Sequence, residues 1–182
     1  SSGSLAARVA RIITKNILPY VDVAIDFHTG GEARYNYPQV RFISQDPIAK
    51  QMAIDFNTKY LIENIPVANS FRRAAKDVKV PAILFEGGES IRLDQNAIMS
   101  GTNGILRILQ AFQMKKGDVG PPLEERFIIH KSNWLRASSS GLFIWERQSG
   151  EFVEKGEKLG EIKDPFGTKK IDVIAKFSGH II

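Results

Sequence analysis

Cysteine is absent from all 182 residues, which excludes a disulfide framework and any thiolate metal site. The absence fits a reducing compartment, and a cytoplasmic location is expected. No apolar run approaches the roughly 18 residues of a membrane span, because Asp or Pro interrupts the longest candidates, so no membrane partner is expected. No signal peptide is visible; the chain opens Ser1-Ser2-Gly3-Ser4 without an initiator Met, and this amino terminus is not expected to be the native one. A one-signed charge field is missing too. The net charge is +5, but residues 1–125 hold 15 Lys/Arg against 13 Asp/Glu, and residues 126–182 hold 10 against 7. Arg72-Arg73, Lys115-Lys116 and Lys169-Lys170 are isolated pairs with no aromatic residues interleaved for base stacking. They read as solvated surface, and no nucleic acid is expected. What is present is 43% hydrophobic residues, enough for a core in one large domain or one and a half.

Helix and strand patterns alternate through the first two thirds. Ser4 is an N-cap for an amphipathic helix carrying Leu5, Val9, Ile12 or Ile13, and Ile17, which Pro19 closes. A buried strand, Val21–Phe27, follows at once. Asp46-Pro47 starts a second helix, with Ala49, Ala53, Phe56 and Tyr60 on one face, that runs towards Glu63. Residues 65–74 read as irregular or as a short edge strand. Val80–Phe85 is the second central strand, and Asp94–Phe112 is a long helix in which Gly101 and Gly104 mark close packing. Lys116-Gly117-Asp118-Val119-Gly120-Pro121-Pro122 is a linker by composition. Short β-type runs come after it: Phe127–Ile129, Trp134–Ala137, Leu142–Trp145, Phe152-Val153, Leu159–Ile162 and Ile171–Phe177.

Both central strands end in chemistry. The first stops at Asp26-Phe27-His28-Thr29-Gly30-Gly31 and the second at Glu86-Gly87-Gly88-Glu89. Parallel α/β enzymes keep their reactive groups at such strand ends, and glycines let the next loop approach a ligand. His28 is either a loop-bonded histidine or a zinc ligand, imidazole being suited to that ion. Asp26 shares a face with it in an extended segment, as an orienting carboxylate or as a salt-bridge partner. Glu86 is either a general acid/base or a cap for the Gly87-Gly88 turn. Glu89 is the more exposed by pattern and the weaker candidate. Arg34, Arg41, Arg72, Arg73 and Arg92 are candidate anion contacts. A catalytic zinc wants three protein ligands, and His130 and His180 fall outside any ligand spacing.

These segments resemble the succinylglutamate desuccinylase/aspartoacylase family, relatives of zinc carboxypeptidases. The resemblance rests on Asp26-Phe27-His28-Thr29-Gly30-Gly31, on Pro81 to Glu89, and on Ala137 to Phe143 followed by Val153 to Gly167. It runs over essentially the whole chain. It implies an α/β fold: the C-terminal half of a zinc carboxypeptidase-like mixed sheet flanked by helices, then a small all-β barrel or sandwich-like domain. The implied boundaries are 1–115 for the α/β part, 116–125 for the linker and 126–182 for the β domain. The rhythm Val153, Gly156, Leu159, Gly160, Ile162 also resembles biotinyl/lipoyl domains, and the β domain reads as cut short at Ile182. Lys169 and Lys170 lack the presentation of a carrier lysine.

By the same resemblance His28 matches a Zn²⁺ ligand and Glu86 the catalytic general base. The family's early His-x-x-Glu motif and substrate-binding Arg are missing, so a fragment is expected. The implied function is zinc-dependent hydrolysis of the amide bond of an N-acyl amino acid or a similar small acylated amine. The alternatives are carboxypeptidase-like peptide hydrolysis and a non-enzymatic binding protein on the same scaffold. Homo-oligomerisation is left open.

Overall fold

Capping residues set the helix starts. The computed structural model describes residues 3–32 and 34–182. Ser4 caps α1 (Leu5–Ile12), its hydroxyl accepting from the Ala7 amide at 3.2 Å. The helix loosens into a π turn over Ile13–Ile17 and tightens over Leu18–Tyr20, where Pro19 ends it. Asp46 caps α2 (Pro47–Phe56), accepting from the Ile48 and Ala49 amides at 3.0 Å each. This helix stops short of Glu63. Asn57 takes the left-handed conformation, with φ of 67°, and ends the winding. Helix α3 (Phe71–Asp77) begins in the segment read as irregular, with the Ser70 hydroxyl as its cap. Its apolar face is too short to leave a period. Helix α4 (Gln95–Ala111) starts at Asp94, as its sequence predicts.

Five strands form the main sheet among the described residues: β1 (Ala24–Gly30), β2 (Asn36–Phe42), β3 (Tyr60–Glu63), β4 (Ala82–Glu89) and β5 (Phe127–Ile129), in the order β1-β4-β2-β3-β5. β4 runs parallel to β1 and antiparallel to β2, while β3 is parallel to both β2 and β5. β2 and β3 had no counterpart in the sequence pattern. β2 carries Pro38 at its third position and presents Gln39 and Arg41 where an apolar alternation would be sought. Phe127–Ile129 belongs to this sheet and not to the small β domain: its residues pair in register with Tyr60–Ile62, and the Phe127 ring stacks on Tyr60 at 5.7 Å.

Side chains alternate across the sheet, so the register sorts them into two faces. Val40, Phe42, Leu61, Ile83 and Phe85 pack against Ala49, Met52, Ala53 and Phe56 of α2 and Ile108 of α4. Phe27, Phe56 and Phe85 form an aromatic cluster with ring centroids 5.3 to 6.2 Å apart. A Cβ at Gly104 would lie inside the Phe56 ring's van der Waals shell, and one at Gly101 would sit 3.3 Å from Phe27. Both glycines are therefore the close-packing points that the sequence suggests. On the opposite face, Leu18, Ala75, Val80 and Ala82 bury one end of the sheet beneath α3 and the 13–20 turn. The remainder of that face sets the polar Asp26, His28, Gln39, Arg41 and Glu86 among Leu84, Tyr60 and Ile62. No helix of the described residues is long and apolar enough to cross a membrane.

The chain divides into two compact units, one through Lys131 and one from Ser132. The second contains a three-stranded antiparallel sheet, β6 (Leu142–Trp145), β8 (Lys158–Lys163) and β9 (Lys170–Ile174), in the order β6-β8-β9. A ribbon joins β7 (Phe152–Val153) to β10 (Gly179–His180). Trp134–Ala137 forms no strand. Val153, Leu159 and Ala175 make the small core. Glu161 on β8 is buried, with 6% of the residue exposed, and meets Lys158, Lys163 and Lys170. Their hydrogen bonds, Lys163 first, hold its carboxyl down at about 2. The unfolded chain binds that proton at a higher pH, so the stabilisation is fully present above about 4.5 and disappears as pH falls towards 2. Acid melts followed by near-ultraviolet circular dichroism should show the second unit losing stability across that window. Glu161→Gln should flatten the profile, and an unchanged profile would count against the lysine cluster as its source.

Candidate active site

The polar face assembles from three strands. β1 contributes Asp26 and His28, β4 contributes Glu86, and β2 contributes Gln39 and Arg41. His28 and Glu86 are register partners on adjacent parallel strands, so both side chains leave the same face at the same level. The two candidates separated in sequence are thus brought together. His130 and His180 are not. His130 lies past the end of β5 and pairs with Glu63 at 2.9 Å, while His180 belongs to the second unit.

Asp26 Oδ2 lies 3.1 Å from His28 Nε2. The ring is half exposed and the carboxylate mostly covered, so the pairing orients the imidazole and leaves Nδ1 as the nitrogen available to a ligand. Glu86 is more enclosed, its side chain 15% exposed. Its Oε2 meets Arg41 Nη2 at 2.6 Å and its Oε1 accepts from Asn36 Nδ2 at 2.8 Å. The turn amides of Gly87 and Gly88 are not its partners, so a capping role is not what the geometry shows.

Arg72 comes from the first turn of α3 and is only 4% exposed. Its Nη2 donates to Asn64 Oδ1 at 2.9 Å, and its Nη1 is buried without a partner. Burial, followed by the nearby charge of Arg41, pushes its ionisation down to about 10, with Asp26 and Glu86 pulling the other way. Of the five arginines singled out in the sequence, Arg41 and Arg72 reach this face. Arg34, Arg73 and Arg92 are spent on Glu32, Asp77 and Glu89. Glu89 corrects its sequence expectation: it is buried rather than exposed, and its hydrogen bond with Arg92 holds its carboxyl below the usual range. It sits opposite Gly30, beyond the break in the β1–β4 register.

Asn36 and Gln39 were missed, and Arg41 was read only as an anion contact, not as the partner of Glu86. Their signal, a polar alternation at Gln39 and Arg41 around Val40, identifies a strand only if one sheet face is known to be polar. Among the described residues no three His, Asp or Glu side chains gather as a metal-ligand set. His28 with Asp26 fits a single zinc ligand and its orienting group. Glu86 is already engaged by Arg41 and Asn36.

Residues 3–112 match the family model of the succinylglutamate desuccinylase/aspartoacylase catalytic domain. The fold is similar to that of the ectoine utilization protein EutE (DoeB) from Ruegeria pomeroyi, with a TM-score of 0.87 at 20% identity, covering 100% of this chain and 60% of that one. A succinylglutamate desuccinylase/aspartoacylase from Rhodobacter sphaeroides gives a TM-score of 0.84 at 20% identity, covering 98% of this chain and 57% of that one. The succinylglutamate desuccinylase of Vibrio parahaemolyticus is more distant, with a TM-score of 0.57 at 13% identity over 98% of this chain and 55% of that one. The chain therefore spans less than two thirds of the length of these structures. No curated protein sequence matches it significantly.

Proposed function

Because the chain belongs to the succinylglutamate desuccinylase/aspartoacylase family, we propose that it forms part of a zinc-dependent amidohydrolase that releases the acyl group from an N-acyl amino acid or a similar small acylated amine. The observation that carries this reading is the level pairing of His28 with Glu86 at the ends of adjacent parallel strands, each with fixed polar partners. In the proposal His28 is one zinc ligand, oriented by Asp26; the other donors that zinc needs are not among the described residues. Zinc, when bound, supplies Lewis acidity towards the scissile carbonyl and acidity towards water. The residues of this chain handle the proton. Glu86 removes it from the attacking water and returns it to the leaving nitrogen, and it is more enclosed than Asp26, the carboxylate paired with His28. Arg72 adds a buried positive charge, which suits the carboxylate of an N-acyl amino acid. A chain without cysteine suits a cytoplasmic enzyme.

The test is zinc content of the complete gene product together with hydrolysis of a panel of N-acyl amino acids, their carboxamides and longer peptides. Stoichiometric zinc and preference for the N-acyl acids are expected. Turnover of long peptides alone would favour carboxypeptidase-like cleavage. A second reading, a binding protein on this scaffold, draws on the absence, among the described residues, of a cluster of three metal-ligating side chains. Zinc-free, inactive full-length protein would overturn the enzyme reading in its favour.

A further inference from the structure

Both oxygens of Glu86 are held from a single strand. Arg41 Nη2 meets Oε2 at 2.6 Å, and Asn36 Nδ2 donates to Oε1 at 2.8 Å. In a regular strand, residues an odd number of positions apart point to opposite faces, so Asn36 and Arg41 should not reach one side chain. The β2–β4 ladder explains how they do. Gln39 lies opposite Glu86 and Arg41 opposite Leu84, but Asn36 lies opposite Gly88, where an unbroken antiparallel register would place Tyr37. One extra residue is accommodated at Tyr37-Pro38, and Pro38 has no amide hydrogen to give to the ladder. This bulge turns Asn36 onto the Glu86 face.

The arrangement is locally costly. Arg41 Nε and Gln39 Oε1 are buried without hydrogen-bond partners, and the charge of Arg72 lies close enough to Arg41 to disfavour its own protonated form. A bulge, unpaired polar atoms and two crowded guanidiniums are poor ways to stabilise a sheet. They are the kind of local rule-breaking expected where a side chain must be held for function.

The geometry points to Asn36 and Arg41 as positioning residues: a two-point clamp that fixes the plane and rotamer of the Glu86 carboxylate. This rests on the proton-transfer reading of Glu86 given above. Two donors carried by one strand remove the carboxylate's rotational freedom before substrate arrives, and a reacting group displaced by about 1 Å can lose roughly 10²-fold in rate.

The experiment uses the complete gene product with N-acyl amino acid substrates and compares Arg41→Met, Arg41→Lys and Asn36→Ala with Glu86→Gln. Arg41→Met and Asn36→Ala should each lower kcat roughly 10- to 100-fold, with KM within about threefold and zinc content unchanged. Arg41→Lys should recover part of the loss, and added guanidinium ion should partly rescue an Arg41→Ala variant. Crystals of metal-free Arg41→Met should show Glu86 in more than one rotamer. If Glu86→Gln is inactive while Arg41→Met and Asn36→Ala lose only thermal stability, the clamp is structural and the inference fails. A rise in kcat would overturn it as well, since the clamp would then be a restraint. Full turnover by Glu86→Gln would instead overturn the proton-transfer reading itself, and the clamp's purpose with it.

Discussion

Glutamine in place of Glu86 is expected to lower turnover by roughly 10²–10⁴-fold while zinc content stays at the level of the unaltered protein. The substitution keeps the volume and one acceptor oxygen but removes the group that can accept and return a proton. It also leaves Arg41 without its anionic partner, so some loss of thermal stability should accompany the rate effect. The two effects separate cleanly. Turnover per folded molecule reads the chemistry, and the melting temperature reads the ion pair. A lower melting temperature with unchanged turnover would make Glu86 a structural residue. Loss of zinc together with activity would recast it as a ligand, which its engagement by Arg41 and Asn36 argues against.

His28→Ala should abolish stoichiometric zinc in the complete gene product, measured by elemental analysis after dialysis against a weak chelator. The imidazole offers a nitrogen with a carboxylate behind the ring, and alanine supplies neither donor nor bulk. Asp26→Asn is the graded counterpart. Its amide oxygen can still accept from Nε2 but carries no negative charge behind the ring, so zinc affinity should fall roughly 10- to 100-fold, the scale seen for groups behind a ligand. Zinc retained at full stoichiometry by His28→Ala would remove the residue from the ligand set. Equal losses in both variants would show that Asp26 does more than orient the ring.

Much of this was legible because it is local. Ser4, Asp46 and Asp94 announce their helices through side-chain capping, and the strands ending at His28 and Glu86 are marked by apolar runs that break at glycines. Gly101 and Gly104 also announce themselves, since a glycine inside a long helix costs stability unless something packs closely on it. The unread parts depend on partners far along the chain. β2 is a strand because β4 and β3 flank it, and its inward-facing Gln39 and Arg41 defeat any search for apolar alternation. Asn36 reaches Glu86 only through a register slip that no single strand encodes. Glu89 looked exposed beside Ser90 and Arg92, yet its place opposite Gly30 at the end of β4 buries it. The proximity of Arg72 to Arg41 likewise follows from how α3 packs, not from the spacing of the two residues.

β4 lies between β1 and β2 although it follows both in the chain. Before it arrives, β1 has no neighbour among the described strands, and β2 with β3 forms a separate parallel pair. The entropic cost of closing that long loop must be met before the sheet repays it, which favours a late insertion of β4. During synthesis, at roughly 5–20 residues per second, His28 is exposed for several seconds before Glu86 is even made. A chain that stalls or is clipped ahead of residue 82 holds an imidazole with no carboxylate opposite it and no sheet to aim either one. The same strand that completes the core also delivers the group proposed to move the proton.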